Sequence, residues 1–487
     1  CGATALATPR DGAPAPAAAE AGAARAASPA ARERLLWVAL SAMGSCLLLA
    51  VTNHLTQDVA SVPFLWVAPL SIYLVTFILA FDHPRWYRRE VFLPATAILL
   101  PAMAWYGDSL DLWTTAPLHA VGLLACCMFC HGELARLAPA PERLTTFYLM
   151  LALGGAVGAF LVGIAAPSLL SGPFELGIVL VACALLLVLR SLALGRWVVS
   201  ASAVILAGTA ILVAVNVRSY FEDTRVTARS FYGVLRTRDF PPPAPYRSLY
   251  HGAIDHGGQL LEPERRSEPS SYFGRASGYG RAFASLPASP RRVGVIGLGA
   301  GALMAYARKG DVFRFYEIDP KVVRIASTEF TFLRDSPARV EVVVGDGRLA
   351  LEREASQDFD LLGIDAFSGD AIPMHLLTRE AMAIYVRHVK PDGVIVFQAT
   401  NRFVDIAPVV ERLAASFGWS AVLVSDLPEA SDREQFRVSG TAQIIVTRNR
   451  ALLEAEPIAS VAEPIPAQPR FPVWTDDFHN LLSVLTP

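Results

Sequence analysis

The chain has 487 residues, of which 53% are hydrophobic and only 18% are charged, and its mean hydropathy is +0.40. An average soluble domain carries about 25% charged residues, so this composition excludes a disordered protein, a coiled coil and an ordinary two-domain soluble enzyme. The net charge of −2 offers no basic surface, and we therefore expect no nucleic-acid partner. Nearly all of the apolar excess precedes residue 218, which predicts a membrane half joined to a soluble half.

The first 34 residues are rich in Ala, Pro and Gly, and we expect residues 1–34 to form a disordered tail because they cannot bury a core. The chain begins with Cys and not with Met, which indicates a processed product or a fragment. A lipidated Cys1 is one interpretation, and a truncated gene model is the one we favour. The other five cysteines lie in apolar segments and predict no disulfide framework.

Seven apolar runs predict a transmembrane helical domain of about seven spans over residues 35–217. The runs cover 35–51, 62–81, 91–105, 113–130, 145–166, 174–189 and 197–217. The third run is the weakest because it is short and contains prolines. The small residues at 154–158 are typical of closely packed membrane helices.

The segment Cys127-Met128-Phe129-Cys130-His131 matches the attachment pattern of c-type haem. We expect no haem because the pattern ends an apolar helix on the predicted cytoplasmic side, where such haem is not attached. His131 and Glu133 leave two interpretations open. They could line a polar cavity, or they could anchor the helix end at the interface, which we favour.

Loop charges alternate along this half of the chain. Arginines precede the first run and follow the second, fourth and sixth runs, whereas the intervening loops contain no Lys or Arg. The positive-inside rule therefore predicts a cytoplasmic N-terminus, and seven spans would then leave the soluble half outside.

The soluble half begins with a predicted small β subdomain and connection at residues 218–290. It contains expected strands at 230–238 and 246–250 and a helix near 275–285. Beyond it, strands are predicted at 292–296, 313–317, 340–344, 359–364, 393–398, 420–424 and 441–447, with helices at 301–308, 320–330, 375–389 and 404–416. This alternation predicts a parallel sheet with helices on both faces and ligands at the carboxyl ends of its strands.

Four successive predicted strands end in Gly or Asp. The segments are Gly-Leu-Gly-Ala-Gly at 297–301, Tyr-Glu-Ile-Asp at 316–319, Gly-Asp-Gly at 345–347 and Ile-Asp-Ala-Phe-Ser-Gly-Asp at 364–370. Glycines after the first strand let a ligand approach the backbone closely, and the acid about twenty residues on suits the hydroxyls of a ribose. Each signal alone is weak, but together they predict a nucleoside site.

This ordered set, with Gln259 and Tyr272 upstream, resembles the spermidine synthase (polyamine aminopropyltransferase) family over about residues 229–448. The whole arrangement is similar to membrane-fused bacterial members of that family. The resemblance implies an α/β Rossmann-like, seven-stranded methyltransferase-type domain at 291–487, preceded by the small β subdomain.

The resemblance also implies residue roles. Glu317 would hold the ribose, Asp346 the adenine, and Asp365 would be the base that frees the amine nucleophile. The predicted site comprises catalytic Asp365 and Asp370, cofactor-binding Gly297, Gly299, Gly301, Glu317, Asp346 and Gly347, and substrate-binding Gln259, Tyr272, Asp476 and Asp477, with no metal ligand.

The chain departs from the family pattern at three places. Ala300 replaces the Asp that grips the aminopropyl ammonium, the spacing between Asp365 and Asp370 is two residues wider, and Phe273-Gly274 replaces a His-Glu pair. The loss of the Asp at position 300 weakens the case for a decarboxylated donor but leaves the nucleoside site intact.

Three functions stay open. The leading one is a membrane-bound aminopropyltransferase that uses decarboxylated S-adenosylmethionine and a polyamine. The alternatives are a methyltransferase that uses S-adenosylmethionine itself, and a non-catalytic transporter or sensor of polyamines or nucleosides. We expect a multi-pass protein of the bacterial inner membrane, with the bilayer as a partner and the oligomeric state open. The donor is made inside cells and favours a cytoplasmic catalytic domain, which conflicts with the loop charges.

Overall fold

The computed structural model describes residues 31–59, 65–107, 111–288, 290–366, 373–401 and 403–486. Each predicted apolar run forms a helix. The helices of this half are α1 (Ala31–Asn53), α2 (Val67–Asp82), α3 (Arg89–Trp105), α4 (Leu112–Arg136), α5 (Leu144–Phe160), α6 (Ala166–Leu169), α7 (Glu175–Ser191) and α8 (Arg196–Glu222). A π-helical turn, Leu161–Ala165, joins α5 to α6, so the two continue one another.

Only four of these segments have both the length and the apolar composition of a membrane span. They are Ala31–Thr56, Leu112–Arg136, Pro141–Leu169 and Arg196–Glu222. Helix α2 is apolar but has only 16 residues. Counting the continuous α5 and α6 as one, the described residues of this half form seven helices, the number of spans predicted. Four of the seven are long enough to cross a membrane by this measure.

The small residues at 154–158 pack α5 against α1, as predicted. A Cβ atom on Gly154 would lie 2.6 Å from the carbonyl oxygen of Val38, so only a glycine allows this approach. The hydroxyl of Ser41 donates a hydrogen bond of 2.7 Å to the carbonyl oxygen of Leu151 across the same contact.

Glu133 forms an ion cluster at the end of α4. Its buried carboxylate accepts hydrogen bonds from Tyr87 (2.9 Å), Arg89 (2.6 Å) and Arg190 (2.7 Å). These contacts join the end of α4 to the start of α3 and the end of α7. The imidazole Nδ1 of His131, two residues earlier, lies 3.2 Å from the hydroxyl of Thr76 on α2.

A four-stranded antiparallel sheet follows α8 directly. Its strands are β1 (Thr224–Ser230), β2 (Gly233–Phe240), β3 (Tyr246–His251) and β4 (Ile254–Leu260) in the order β1-β2-β3-β4. The predicted strand at 230–238 was wrong in part, because a tight turn at residues 231–232 separates β1 from β2. Strand β4 was not predicted, because Gly257 and Gly258 lower the strand propensity of this segment.

The larger sheet has eight strands in the order β12-β10-β11-β9-β8-β5-β6-β7. They are β5 (Arg292–Ile296), β6 (Val312–Glu317), β7 (Arg339–Val344), β8 (Phe359–Ile364), β9 (Val389–Gln398), β10 (Ser420–Asp426), β11 (Thr441–Thr447) and β12 (Glu463–Pro464). The seven predicted strands are confirmed, and the eighth is a two-residue strand on the outer edge of β10.

The prediction of a parallel sheet was wrong for β11, which runs antiparallel to both β9 and β10. The chain returns from β10 and inserts β11 between two strands already aligned in one direction. The helices of this half are α9 (Gly278–Ser285), α10 (Pro320–Thr328), α11 (Gly347–Arg353), α12 (Arg379–His388), α13 (Ala407–Ser416), α14 (Ala430–Phe436), α15 (Arg450–Glu454) and α16 (Glu456–Ala459). Apolar cores lie on both faces of the sheet, as expected for this architecture.

Candidate active site

The glycine turn after β5 brings three parts of the chain together. Gly297 and Gly299 both have positive φ angles, +101° and +53°. A side chain on Gly297 would overlap the backbone oxygen of Asp365, and a Cβ atom on Gly299 would lie 2.6 Å from the backbone oxygen of His256. The turn therefore requires glycine for conformation and for space. It leads into a 3₁₀ segment, Ala302–Tyr306, and not into the predicted α-helix.

Glu317 ends β6 and is 8% exposed. Its carboxylate accepts backbone N–H groups from Leu298 (3.0 Å) and Asp319 (2.9 Å). Burial raises the pKa of Glu317 above its ordinary value, and the two N–H groups oppose that shift. The glycine turn and β6 thus hold one carboxylate in a defined orientation at the strand ends.

Asp346 follows β7 and begins α11. One carboxylate oxygen caps the helix by accepting the N–H of Leu349 at 2.9 Å. The other lies 3.0 Å from Nε2 of His375, which enters from beyond β8. Gly347 beside it packs closely on Ile296 of β5 and Tyr316 of β6, so the start of α11 lies against these two neighbouring strands.

Asp365 follows β8 and is the central acid of the site. The phenol of Tyr272 lies 3.4 Å from its carboxylate. Desolvation raises the pKa of Asp365 well above its ordinary value, and the Tyr272 hydrogen bond opposes this. A carboxylate with a raised pKa is a stronger base than an exposed one, which suits proton transfer near neutral pH.

These side chains surround one cavity of about 260 Å³. Six predicted residues line it, namely Gly297, Gly299, Glu317, Asp346, Gly347 and Asp365. Its carboxylates are Glu317, Asp319, Asp346 and Asp365, and no Lys or Arg occurs among the described residues of the lining. The cavity is therefore suited to a nucleoside that carries positive charge.

Five predicted site residues lie elsewhere among the described residues or touch the site indirectly. Tyr272 contacts Asp365 without lining the cavity, and Gly301 caps the 3₁₀ segment. Gln259 is buried, and its amide bonds Thr331 and the backbone of Arg266.

The two acids near the C-terminus also lie outside the cavity lining. Asp476 pairs with Arg348 at 2.5 Å and accepts from Thr378 at 2.8 Å. The bond to Arg348 holds the pKa of Asp476 below its usual range. Asp477 is exposed. Asp370, the second predicted catalytic residue, lies outside the described residues.

Sequence reasoning missed several lining residues. Tyr232, His251 and His256 reach the cavity from the small sheet. His375 reaches it from the segment before α12. Only tertiary packing brings the small sheet over the strand ends, so no local pattern marked these residues. Asp319 was visible in the segment that contains Glu317 but received no role.

Comparison with known proteins gave partial matches. No family model matches the chain. A polyamine aminopropyltransferase of Vibrio vulnificus (strain CMCP6) is 35% identical over 112 residues, which are 22% of this chain and 37% of the relative. A probable polyamine aminopropyl transferase of Bifidobacterium longum (strain NCC 2705) is 30% identical over 155 residues, or 29% and 32% of the two chains. The chain thus spans about a third of the length of these curated relatives.

Solved structures also match part of the chain. Spermidine synthase from Thermotoga maritima aligns with 50% of this chain and 81% of its own, at 16% identity and a TM-score of 0.36. A methyltransferase dependent on S-adenosylmethionine from Archaeoglobus fulgidus aligns with 32% and 86%, at 14% identity and a TM-score of 0.24. Over these matched segments, the chain is similar in sequence to polyamine aminopropyltransferases.

Proposed function

We propose that this protein is a polyamine aminopropyltransferase that transfers the aminopropyl group of decarboxylated S-adenosylmethionine to a polyamine. The observation that carries the proposal is the acidic cavity at the ends of β5 to β8, where Asp365 meets Tyr272 and lies near Glu317. The named activity of the curated relatives supports the same reaction class.

The charge of the lining favours the decarboxylated donor. That donor has a sulfonium and an ammonium and no carboxylate, so both of its charges are attracted by the four acids of the cavity. S-adenosylmethionine itself adds a carboxylate, for which the described lining offers no Lys or Arg. Ala300 removes one acid near the turn but does not introduce a cation.

In the proposed reaction, a polyamine nitrogen attacks the aminopropyl carbon beside the sulfonium sulfur. A carbon–nitrogen bond forms, the carbon–sulfur bond breaks, and neutral methylthioadenosine leaves. Asp365 accepts the proton that the attacking nitrogen gives up, and Tyr272 orients its carboxylate. Glu317 and Asp346 bind the nucleoside and align the reacting atoms, which supplies much of the acceleration.

The test uses the full chain, purified in detergent, with the decarboxylated donor and a diamine. We expect methylthioadenosine and the extended polyamine in equal amounts. Absence of both products with every diamine tested would overturn the proposal.

A second candidate function is methyl transfer from S-adenosylmethionine. Ala300 favours it, because an acid that would bind the aminopropyl ammonium is missing there. The same assay with S-adenosylmethionine separates the two reactions, since methyl transfer releases S-adenosylhomocysteine.

We also propose that the helical half spans the inner membrane. Its outer surface exposes large apolar side chains such as Ile98 (68%), Val204 (70%) and Leu169 (82%), which water would not favour. Retention of the chain in membranes washed with alkaline carbonate is the expected result, and its release would argue against spanning helices.

A further inference from the structure

A second cavity, of about 570 Å³, lies where the helical half meets the small sheet. We call it the junction cavity. One wall is largely apolar and comes from α3, α7 and α8, with Met103, Leu180 and Val213 among its residues. The opposite wall is polar and includes Arg236 and Arg238 of β2. Its size falls within the range of small-molecule sites.

The two arginines lie on one face of β2 because side chains alternate along a strand. The guanidinium of Arg236 lies 4.4 Å from the ring centre of Tyr220, and that of Arg238 lies 5.6 Å from the ring centre of Tyr250. Arg238 bonds Asp223 at 3.0 Å, but its Nε is buried without a hydrogen-bond partner in the described structure. A ligand that accepts a hydrogen bond from such a buried donor removes its desolvation penalty and so stabilises the complex. The stabilisation is largest when the accepting oxygen is anionic.

The acidic residues of this cavity lie at its rim. Glu222 and Asp223 follow one another at the end of α8, and the side chain of each is 61% exposed. Glu222 pairs with Arg218. The side chain of Arg238 is less exposed than those of the two acids, at 28%. The more enclosed part of the polar wall is therefore cationic, and the acids face solvent.

We propose that the junction cavity binds an anionic phospholipid. The phosphate would lie against Arg236 and Arg238, and the upper acyl carbons would lie between α3, α7 and α8. The position supports a lipid, because the lining includes the last turns of Arg196–Glu222, a candidate span whose end would meet the headgroup layer. This inference rests on the membrane placement proposed above but not on the proposed reaction.

The test measures lipid binding to the full chain by native mass spectrometry, with phosphatidylglycerol or phosphatidylcholine added to the detergent-purified protein. We expect one retained phosphatidylglycerol per chain, and roughly tenfold weaker binding of phosphatidylcholine, because only the anionic lipid keeps a net charge at the arginines. The double variant Arg236→Gln/Arg238→Gln should lose this preference. The matched variant Arg334→Gln/Arg339→Gln removes two exposed arginines of the soluble half and should keep it.

A second variant tests the apolar wall. Val217→Trp fills the cavity without changing charge and should also weaken phosphatidylglycerol binding. Far-ultraviolet circular dichroism and the thermal midpoint report whether each variant folds.

Equal binding of the two lipids, or unchanged binding in the Arg236/Arg238 variant, would overturn the proposal. Displacement of the lipid by equimolar glycerol phosphate would also overturn it, because the occupant would then be a soluble anion. Lipid binding without aminopropyl transfer would leave this site standing and remove only the proposed reaction.

Discussion

At the scale of single residues, the proposed chemistry depends most on Asp365. Its carboxylate contacts Tyr272 and lines the cavity formed by the strand ends. In Asp365→Asn, the amide cannot accept the proton, so we expect kcat/KM to fall by about 10² to 10⁴-fold. Methylthioadenosine release measures the rate, and calorimetry with methylthioadenosine measures nucleoside binding, which we expect to change little. Full activity in this variant would remove Asp365 from its assigned role.

Tyr272 should set the pH at which Asp365 works. The raised pKa of Asp365 means that activity is lost as the pH falls through that pKa, because the base becomes protonated. Tyr272→Phe removes the hydrogen bond that lowers this pKa, so the acidic limb of kcat/KM should move to higher pH. A pH profile of kcat/KM for both proteins checks the direction. An unmoved limb, or one shifted to lower pH, would contradict this assignment.

Gly299 can be tested against a matched glycine. Gly299→Ala introduces a Cβ atom 2.6 Å from a backbone oxygen at φ +53°, whereas Gly418→Ala has φ +71° and open space. Both variants carry the strain of a left-handed residue, about 1–2 kcal/mol. Only Gly299→Ala also displaces the turn, so it should weaken methylthioadenosine binding in calorimetry while Gly418→Ala does not. Equal binding by the two variants would show that the turn tolerates the clash.

At the scale of elements, the small sheet separates the two cavities. Leu235 and Leu249 line the strand-end cavity, and their neighbours Val234 and Tyr250 line the junction cavity. The alternation of side chains across a strand produces this division. The sheet is thus a shared wall between the site of the proposed reaction and the helical half.

A buried ion pair attaches this wall to the helices. Arg229 of β1 bonds Glu175 at the start of α7 at 2.7 Å, with both side chains less than a tenth exposed (8% and 6%). Glu175→Gln leaves a buried guanidinium without its counter-ion, which costs about 3–5 kcal/mol. We expect a clear loss of thermal stability in detergent, measured by the unfolding midpoint.

The control is Arg225→Gln, which breaks a pair with Glu329 in which the arginine is 51% exposed. Such pairs contribute about 0–1 kcal/mol, so the midpoint should change little. A similar small effect in both variants would mean that the Glu175 pair does not hold the two halves together.

At the scale of the whole molecule, contacts between helices show which loops lie at the same end of the helical half. Contacts of Glu133 with Arg89 and Arg190 join the start of α3 to the ends of α4 and α7. The indole N–H of Trp37 donates to the backbone oxygen of Leu137, so the start of α1 lies at the same end. The arginine-containing loops lie at this end. The soluble half follows α8 at the opposite end, where Arg229 meets Glu175.

Seven crossings should therefore put the two ends on opposite faces of the membrane. A reporter fused after Pro487 and one inserted after Arg89 should give opposite readings in a paired periplasmic and cytoplasmic reporter assay. The positive-inside rule assigns the arginine end to the cytoplasm. Two readings from the same face would mean that one of the seven helices does not cross.

Much of the candidate site could be predicted from sequence. Parallel strands end at one edge of a sheet, so the glycine turn, Glu317, Asp346 and Asp365 were expected to meet, and they line one cavity. The distant acids could not be assigned, because Asp476 is paired with Arg348, a contact across 128 residues that no local pattern records. Gln259 is likewise engaged by Thr331 through packing of the small sheet.

Local composition and periodicity were enough to predict an apolar helical half followed by an α/β half. They were also enough to predict the order of the strand ends that carry the acids. Three features required the folded structure, namely the antiparallel direction of β11, the placement of the small sheet over the strand ends, and the junction cavity behind it. These features depend on contacts between segments far apart in the chain, whose pairing is set by packing and not by any local pattern.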